Sequence, residues 1–170
     1  MQLQPGEVER FREVQPMHRN ILIRVLMPSE AVVMSGIMLP LAFGQGGSAR
    51  DTLLLVWFGS AIVLPLLIAF GLRLTTVVTD RRVLARFVPF SRKSIDLGAV
   101  ESAEAIKYSP IADAGGWGVK FSKRFGTVLN VSGEHGVFVN YTKDGKPKKL
   151  LLGSERSGDL AEAIGVPPAS

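Results

Sequence analysis

Cysteine is absent from this chain of 170 residues, and histidine occurs only twice. The lack of cysteine excludes disulfides, thiol nucleophiles and thiolate metal ligands, and it fits a reducing compartment. His18 and His135 lie far apart in the sequence, and neither has a second imidazole at the short helical spacing that metal sites often use. We therefore expect no metal site and no cofactor.

The sequence also lacks a recognisable catalytic motif. Hydrolysis or group transfer requires a nucleophile beside a base, or two convergent carboxylates. Ser154 lies outside any Gly-x-Ser-x-Gly elbow, His135 lies in a predicted hairpin loop, and Asp113 lies in another predicted loop. We expect no catalytic residues and no enzymatic activity. A small hydrolase or transferase is the alternative, and His135 and Ser154 are the residues that would test it.

Long apolar runs are confined to the first 71 residues. The run Leu53–Gly71 has no charged residue, and as a helix rising about 1.5 Å per residue it would span roughly the 30 Å hydrocarbon core of a bilayer. An earlier run, Ile21–Phe43, contains Arg24, Pro28 and Glu30. Its helix starts either near the beginning of the run, with Arg24 at the headgroups, or at Pro28, with Glu30 complementing the positive helix N-terminus.

Both alternatives predict a transmembrane helical hairpin over residues 21–71, with spans at about 24–44 and 53–71. The connecting segment, Gly44–Thr52, carries one arginine, whereas arginines are frequent on the other side of both runs. The positive-inside rule then places both termini in the cytoplasm. We expect residues 1–20 to form a cytoplasmic tail or a short surface helix, and the chain to be a multi-pass protein of the plasma membrane.

From residue 72 onward the apolar pattern has a period of two, which is typical of strands. We expect about seven short strands in a small antiparallel β-barrel or sandwich over residues 72–165, although residues 100–108 could also be helical. The amphipathic segment 158–164 predicts one C-terminal helix that caps this domain, and residues 166–170 form a tail. The strand-like segments are 72–78, 83–90, 93–97, 100–108, 117–121, 126–131, 136–142 and 148–152.

Four segments resemble a set of uncharacterised bacterial two-span membrane proteins that carry a pleckstrin-homology-like domain. The resemblance implies an α+β protein of the bacterial inner membrane, in which a transmembrane hairpin precedes a cytoplasmic pleckstrin-homology-like domain. It implies no substrate and no catalytic residues. The four segments are FREVQ at 11–15, YSPIADAGGWGVK at 108–120, LNVSGEHGV at 129–137 and LLLGSERSGDLAEAI at 150–164.

The net charge of +5 belongs entirely to residues 72–170, because basic and acidic residues balance in residues 1–71. Most of the basic residues lie at predicted turns, and each one held near an anionic leaflet contributes about 1 kcal/mol. Nucleic-acid binding is not expected, because the basic residues lack interleaved exposed aromatics. The candidate membrane-surface contacts are Arg81, Arg82, Arg92, Lys93, Lys123, Arg124, Lys148 and Lys149.

A second candidate contact is the segment Gly115, Gly116, Trp117 and Gly118. Three glycines allow a close backbone approach beside a large amphipathic ring, which suits a partner or ligand contact, although a turn entering a strand with Trp117 in the core explains them as well. The sequence thus predicts a non-catalytic integral membrane protein whose soluble domain binds a partner protein or anionic lipid. A homo-oligomeric lipid or ion pathway using Glu30 is a further alternative.

Overall fold

A computed structural model describes residues 4–20, 29, 32–33, 35–36, 56–57, 59–60, 63 and 70–165. The chain divides into two compact units, one of residues 17–72 and the other of residues 1–16 together with 73–170. Within the first of these, the backbone N–H of Met17 donates to the carbonyl of Leu72 over 2.9 Å, and the rings of His18 and Phe70 stack with centroids 5.3 Å apart. The two ends of this unit are therefore joined to each other.

The other unit contains a four-stranded sheet, sheet A, in the order β1-β2-β3-β4. All of its strand pairs are antiparallel. The central strands β2 and β3 are buried along most of their length, and consecutive residues such as Val77 and Val78 are both buried, so both faces of these strands are covered. The strands are β1 (Glu9–Pro16), β2 (Arg73–Thr79), β3 (Arg82–Val88) and β4 (Ser91–Asp96).

Five more strands form a separate sheet, sheet B, in the order β5-β8-β9-β7-β6. Its pairs are antiparallel except for β7 and β9, which run parallel. Leu150, Leu151 and Leu152 of the central strand β9 are fully buried. The strands are β5 (Val100–Lys107), β6 (Gly118–Ser122), β7 (Gly126–Asn130), β8 (His135–Lys143) and β9 (Lys146–Gly153).

Helix α1 (Ser157–Ile164) connects the two sheets along one side. It contacts β5 and β8 of sheet B and β1 and β2 of sheet A. Leu160 and Ile164 are its buried residues, and burial of side chains of this size contributes about 1.5–3 kcal/mol each. The helix ends at Gly165, whose left-handed φ of 69° allows its N–H to donate to Ala161. The predicted C-terminal helix at residues 158–164 therefore agrees with α1.

The predicted fold class is wrong in its membrane part. Among the residues that the structure describes, no helix has both the length and the apolar character needed to cross a membrane. This finding overturns the transmembrane hairpin, the multi-pass location in the bacterial inner membrane and the cytoplasmic assignment of both termini. The prediction rested on hydropathy and run length, which do not by themselves establish a continuous helix. Most residues of the spans 24–44 and 53–71, including Pro28 and Glu30, lie outside the described residues.

The β part of the fold also differs from the prediction. Nine strands, not about seven, occur in the described part of the chain, and they form two sheets with free edges rather than a closed barrel. Eight of these strands overlap the eight strand-like segments between residues 72 and 152, and the ninth is β1, which lies within the predicted N-terminal tail of residues 1–20. It pairs with β2, so that residues far apart in sequence become neighbours, a pairing that local sequence patterns do not reveal.

Candidate functional site

A groove with a volume of about 820 Å³ lies between β4 of sheet A and the strands β5 to β9 of sheet B. We call it the basic groove. Its walls consist mainly of polar and charged side chains, with Phe121 and Ile95 as the large apolar ones. Its basic residues are Arg92, Lys93, Lys123, Lys143, Lys148 and Lys149, and its acidic residues are Glu101 and Asp144.

The positive charge of the basic groove is not neutralised within the fold. None of its six basic side chains forms an ion pair with another residue of the described chain. Of the two acidic residues, Glu101 accepts a hydrogen bond from the hydroxyl of Thr142. Six positive against two negative charges around one concavity attract anions and repel cations.

The β8–β9 hairpin carries half of these basic residues. Asp144 and Gly145 connect the two strands, and their positive φ values of 53° and 70° are typical of the tight Asp-Gly turn of a hairpin. The register pairs Tyr141 with Lys148, and Asn140 with Lys149. The turn therefore fixes where Lys148 and Lys149 lie relative to the rest of the basic groove.

The wall of the basic groove depends on a close approach between β7 and β9. Gly126 begins β7 with a φ of 67°, and a Cβ atom there would lie only 2.5 Å from the carbonyl oxygen of Lys149. A side chain at Gly126 would therefore push these strands apart. Tyr141 also lines the wall, and its phenol is a hydrogen-bond donor at neutral pH. Burial raises the pKa of this phenol further. Phe121 stands at the rim with 80% of its surface exposed.

The fold brings five of the eight predicted surface contacts together. Arg92, Lys93, Lys123, Lys148 and Lys149 all line the basic groove, although they come from different turns and strands. Lys143, Phe121 and Tyr141 also line the groove and were not among the predicted contacts. The Lys-Asp-Gly turn was a usable signal for Lys143, whereas nothing in the local sequence indicates that Phe121 and Tyr141 face the same space.

The other three predicted contacts, Arg81, Arg82 and Arg124, lie outside the basic groove. Arg82 is largely buried, and its Nε lies 2.7 Å from Oε1 of Glu7, an ion pair that lowers the pKa of that glutamate. Arg124 places Nη1 3.4 Å from Oδ1 of Asp113 and its guanidinium 4.8 Å from the centre of the Phe125 ring. Arg81 is exposed, with Nε 3.9 Å from a carboxylate oxygen of Asp80.

The segment Gly115–Gly118 forms the entry to β6. Gly115, Gly116 and Gly118 all have positive φ, which glycine adopts without strain. The fully buried Asn130 fixes the segment, since its Oδ1 accepts from the N–H of Gly118 over 3.0 Å. Its Nδ2 donates to Oη of Tyr108 over 3.1 Å. Trp117 is half-buried, and its Nε1 has no hydrogen-bond partner in the described residues. These contacts give the segment a structural role.

The single catalytic candidates do not form a reactive pair in the contacts seen. The hydroxyl of the buried Ser154 donates to Oε2 of Glu13 over 2.6 Å and accepts the N–H of Arg156 over 3.1 Å. This hydroxyl thus joins β1 to the segment before α1. His135 is exposed at the start of β8, and Asp113 engages Arg124. The residues that the structure describes contain no cluster of three acidic or histidine residues that could hold a metal ion.

Comparison with protein-family models and with curated proteins identifies no relative. No protein-family model matches this chain, and no curated protein matches it significantly. The resemblance to pleckstrin-homology-like proteins therefore stays a prediction. The basic groove, with six basic and two acidic lining residues, suits the binding of an anion.

Proposed function

We propose that this chain is a non-catalytic binding protein that holds an acidic segment of a partner protein in the basic groove. The observation that carries the proposal is that six basic residues without ion-pair partners in the described chain line one cavity of about 820 Å³. A fold gains nothing from the mutual repulsion of such a cluster. An anionic ligand would relieve that repulsion and form charge-assisted hydrogen bonds.

Binding is favoured over catalysis by the chemistry of the lining residues. The basic groove contains no histidine, and its two carboxylates belong to Glu101 and Asp144. Glu101 is hydrogen-bonded to Thr142, and Asp144 lies in the exposed hairpin turn. Thr142 itself is not among the residues that line the groove, and in the contacts seen neither carboxylate contacts a serine or threonine that does line it. The lining therefore presents no nucleophile held beside a base for group transfer.

A protein segment suits the shape of the basic groove better than a flat lipid surface does. Its basic residues come from β4, the β6–β7 turn and the β8–β9 hairpin, and they surround a concavity instead of lying along one plane. The uncharged polar groups of Ser94, Thr127 and Asn140 also line it. A narrow acidic peptide can reach charged and uncharged groups together, as in other grooves that recognise acidic motifs.

A charge-reversal experiment with the full chain tests the proposal. The probe is a fluorescent peptide of about ten residues that alternates glutamate and threonine, and binding is followed by fluorescence anisotropy. We expect Lys148→Glu with Lys149→Glu to weaken binding at least about tenfold, because attraction becomes repulsion within the basic groove. The matched control is Arg10→Glu with Arg81→Glu, which changes the net charge equally at exposed sites outside the groove.

Two results would contradict the proposal. One is an equal loss of binding in the groove variant and in the control, which would indicate attraction by net charge alone. The other is tighter binding of the unaltered chain to vesicles of anionic phospholipid, or to a thymidine oligonucleotide of similar charge, than to the acidic peptide. Either preference would assign the basic groove to a different class of ligand.

A further inference from the structure

We propose that the acidic segment binds as an additional β-strand along the free edge of β4. This inference rests on the function proposed above and specifies its geometry. Strand β4 is the last strand of sheet A and pairs only with β3. Edge strands carry a row of backbone donors and acceptors without partners, and an extended peptide can pair with them.

The hydrogen-bond pattern identifies which backbone groups are free. The N–H of Leu97 donates to the carbonyl of Arg81 over 2.8 Å, at the end of the antiparallel β3–β4 ladder. Hydrogen-bonded and non-hydrogen-bonded pairs alternate in such a ladder, so Ile95 and Lys93 also bond to β3. The backbone groups of Arg92, Ser94 and Asp96 therefore point away from β3.

These outward backbone groups lie beside the basic groove. Arg92 and Ser94 are exposed and line the groove, and their N–H groups have no partner among the described residues. The six residues of β4 span roughly 20 Å, which is the length of an added strand of about six residues. Lys148 and Lys149 of β9 line the same groove. Because successive side chains of a strand point to opposite faces, we expect one of the two to reach carboxylates on the added strand.

The edge of β4 matches a peptide more closely than it matches other anions. Each outward residue presents both an N–H donor and a carbonyl acceptor. A peptide strand supplies the complementary donors and acceptors, whereas a phosphodiester or a phosphate headgroup presents mainly acceptors. Asp96 lies at the far end of β4, and its carboxylate is expected to repel acidic residues there. The carboxylates of the segment should therefore lie toward Arg92.

Two N-methylated forms of the glutamate–threonine peptide test strand addition. Alternate residues of a strand direct their backbone groups to opposite edges. Methylation of all glutamate nitrogens therefore blocks one edge of the peptide, and methylation of all threonine nitrogens blocks the other. The two peptides have the same charge and composition. We expect one of them to bind at least about tenfold more weakly than the unmethylated peptide and the other to bind within about threefold of it.

A change in β4 itself gives a second test. Ser94→Pro removes an outward N–H that takes no part in pairing with β3, and proline is tolerated at such edge positions. We expect this variant to remain folded by circular dichroism and to lose at least about tenfold in peptide affinity. Ser94→Ala keeps the N–H, and its affinity should stay within about twofold of the unaltered chain.

The outcomes separate this inference from the proposed function. Equal affinities of the two methylated peptides, whether both are retained or both are lost, would overturn pairing along one edge. If the unmethylated peptide still depends on Lys148 and Lys149 in that case, the acidic partner remains supported and only the strand geometry fails. If the unmethylated peptide does not bind, both proposals fail.

Discussion

The two edges of sheet A, β1 and β4, differ in the hydrogen bonds that they form with the rest of the chain. At the β1 edge, the last residue of β9 and the two residues after it form hydrogen bonds with polar side chains of β1. Glu13 accepts hydrogen bonds from the hydroxyl of Ser154 over 2.6 Å and from the N–H of Glu155 over 3.0 Å. Gln15 donates through Nε2 to the carbonyl of Gly153 over 3.0 Å. On the outward backbone, the guanidinium of Arg156 donates to the carbonyl of Arg12 over 3.2 Å. The segment before α1 therefore lies against the β1 edge.

The β4 edge has no such cover in the contacts seen. Its outward backbone groups face the basic groove, and Arg92 and Lys93 add charge to it. Charge on an edge strand also prevents pairing between copies of a chain. Prevention of such pairing alone would not require further basic residues from the β6–β7 turn and the β8–β9 hairpin around the same cavity. Charge on the edge strand alone is typical of an edge that is protected against pairing. A free edge that also lies beside basic residues from other elements is better suited to binding a ligand.

The largest expected effect comes from truncating one phenylalanine in β1 and one at the rim of the basic groove. Phe11 of β1 is 5% exposed, and the Arg156 guanidinium lies 4.6 Å from the centre of its ring. Phe11→Ala should lower the free energy of unfolding by about 3–5 kcal/mol, since a buried aromatic leaves a cavity. Phe121→Ala, at the exposed rim of the basic groove, should change it by less than about 0.5 kcal/mol. Urea denaturation measures the free energy of unfolding of both variants. Similar losses in the two would contradict the difference between the buried position in β1 and the exposed position at the rim.

The second effect concerns Glu13, whose carboxylate accepts two hydrogen bonds at the β1 edge. Glu13→Ala leaves the hydroxyl of Ser154 and the N–H of Glu155 without their acceptor. We expect a loss of about 1.5–3 kcal/mol in the free energy of unfolding, the range for hydrogen bonds to a charged group. Glu13→Gln keeps one carbonyl oxygen as an acceptor, so its free energy of unfolding should fall by less than that of Glu13→Ala. A loss in Glu13→Gln as large as in Glu13→Ala would show that charge, not hydrogen bonding, is decisive.

Local pattern was sufficient for the elements whose signals are local. The predicted strand at residues 83–90 corresponds to β3, Arg82–Val88, because its apolar alternation is continuous. The predicted C-terminal helix corresponds to α1, because Leu160 and Ile164 share a face and Gly165 ends the helix. Strand β1 gave no such signal. Its inward positions include Glu13 and Gln15, whose partners Ser154 and Gly153 are more than 130 residues away.

The candidate site could be predicted only in part for the same reason. The sequence identifies basic turns but not which turns meet, since Arg92 and Lys93 belong to sheet A and Lys148 and Lys149 to sheet B. The sequence also does not show which charged side chains form ion pairs within the fold. Arg82 counted as a surface contact, yet it is paired with Glu7. Hydropathy likewise predicted spans without establishing the continuous helices that they need.

The third effect separates the edges by ionic strength. Raising the salt concentration from about 0.05 M to about 0.5 M should weaken binding of the acidic peptide at the basic groove at least about tenfold, because exposed charges are screened. The contacts at the β1 edge are mostly short hydrogen bonds, so the free energy of unfolding should change little over the same range. Fluorescence anisotropy titrations at both salt concentrations give the peptide affinity, and urea denaturation at both concentrations gives the free energy of unfolding. Peptide binding that is independent of salt would contradict a charge-driven site.

The smallest expected effect is a pH dependence at the ion pair that anchors the segment before β1. The hydrogen bond from Arg82 is the main cause that holds the pKa of Glu7 below its ordinary value of 4.5. A lowered pKa in the folded state means that this stabilisation is fully present above pH 4.5 and is lost as the pH falls through the lowered value.

Glu7→Gln should therefore be less stable than the unaltered chain at neutral pH, and the difference should shrink as the solution is acidified below pH 4.5. Denaturation curves collected across this range measure the difference directly. The exposed Glu104 forms no ion pair within the described chain, so Glu104→Gln is the matched control and should show a much smaller change. A constant difference between Glu7→Gln and the unaltered chain at every pH would mean that Glu7 anchors this segment by its shape and hydrogen bonding, and that its charge contributes nothing to closing the β1 edge.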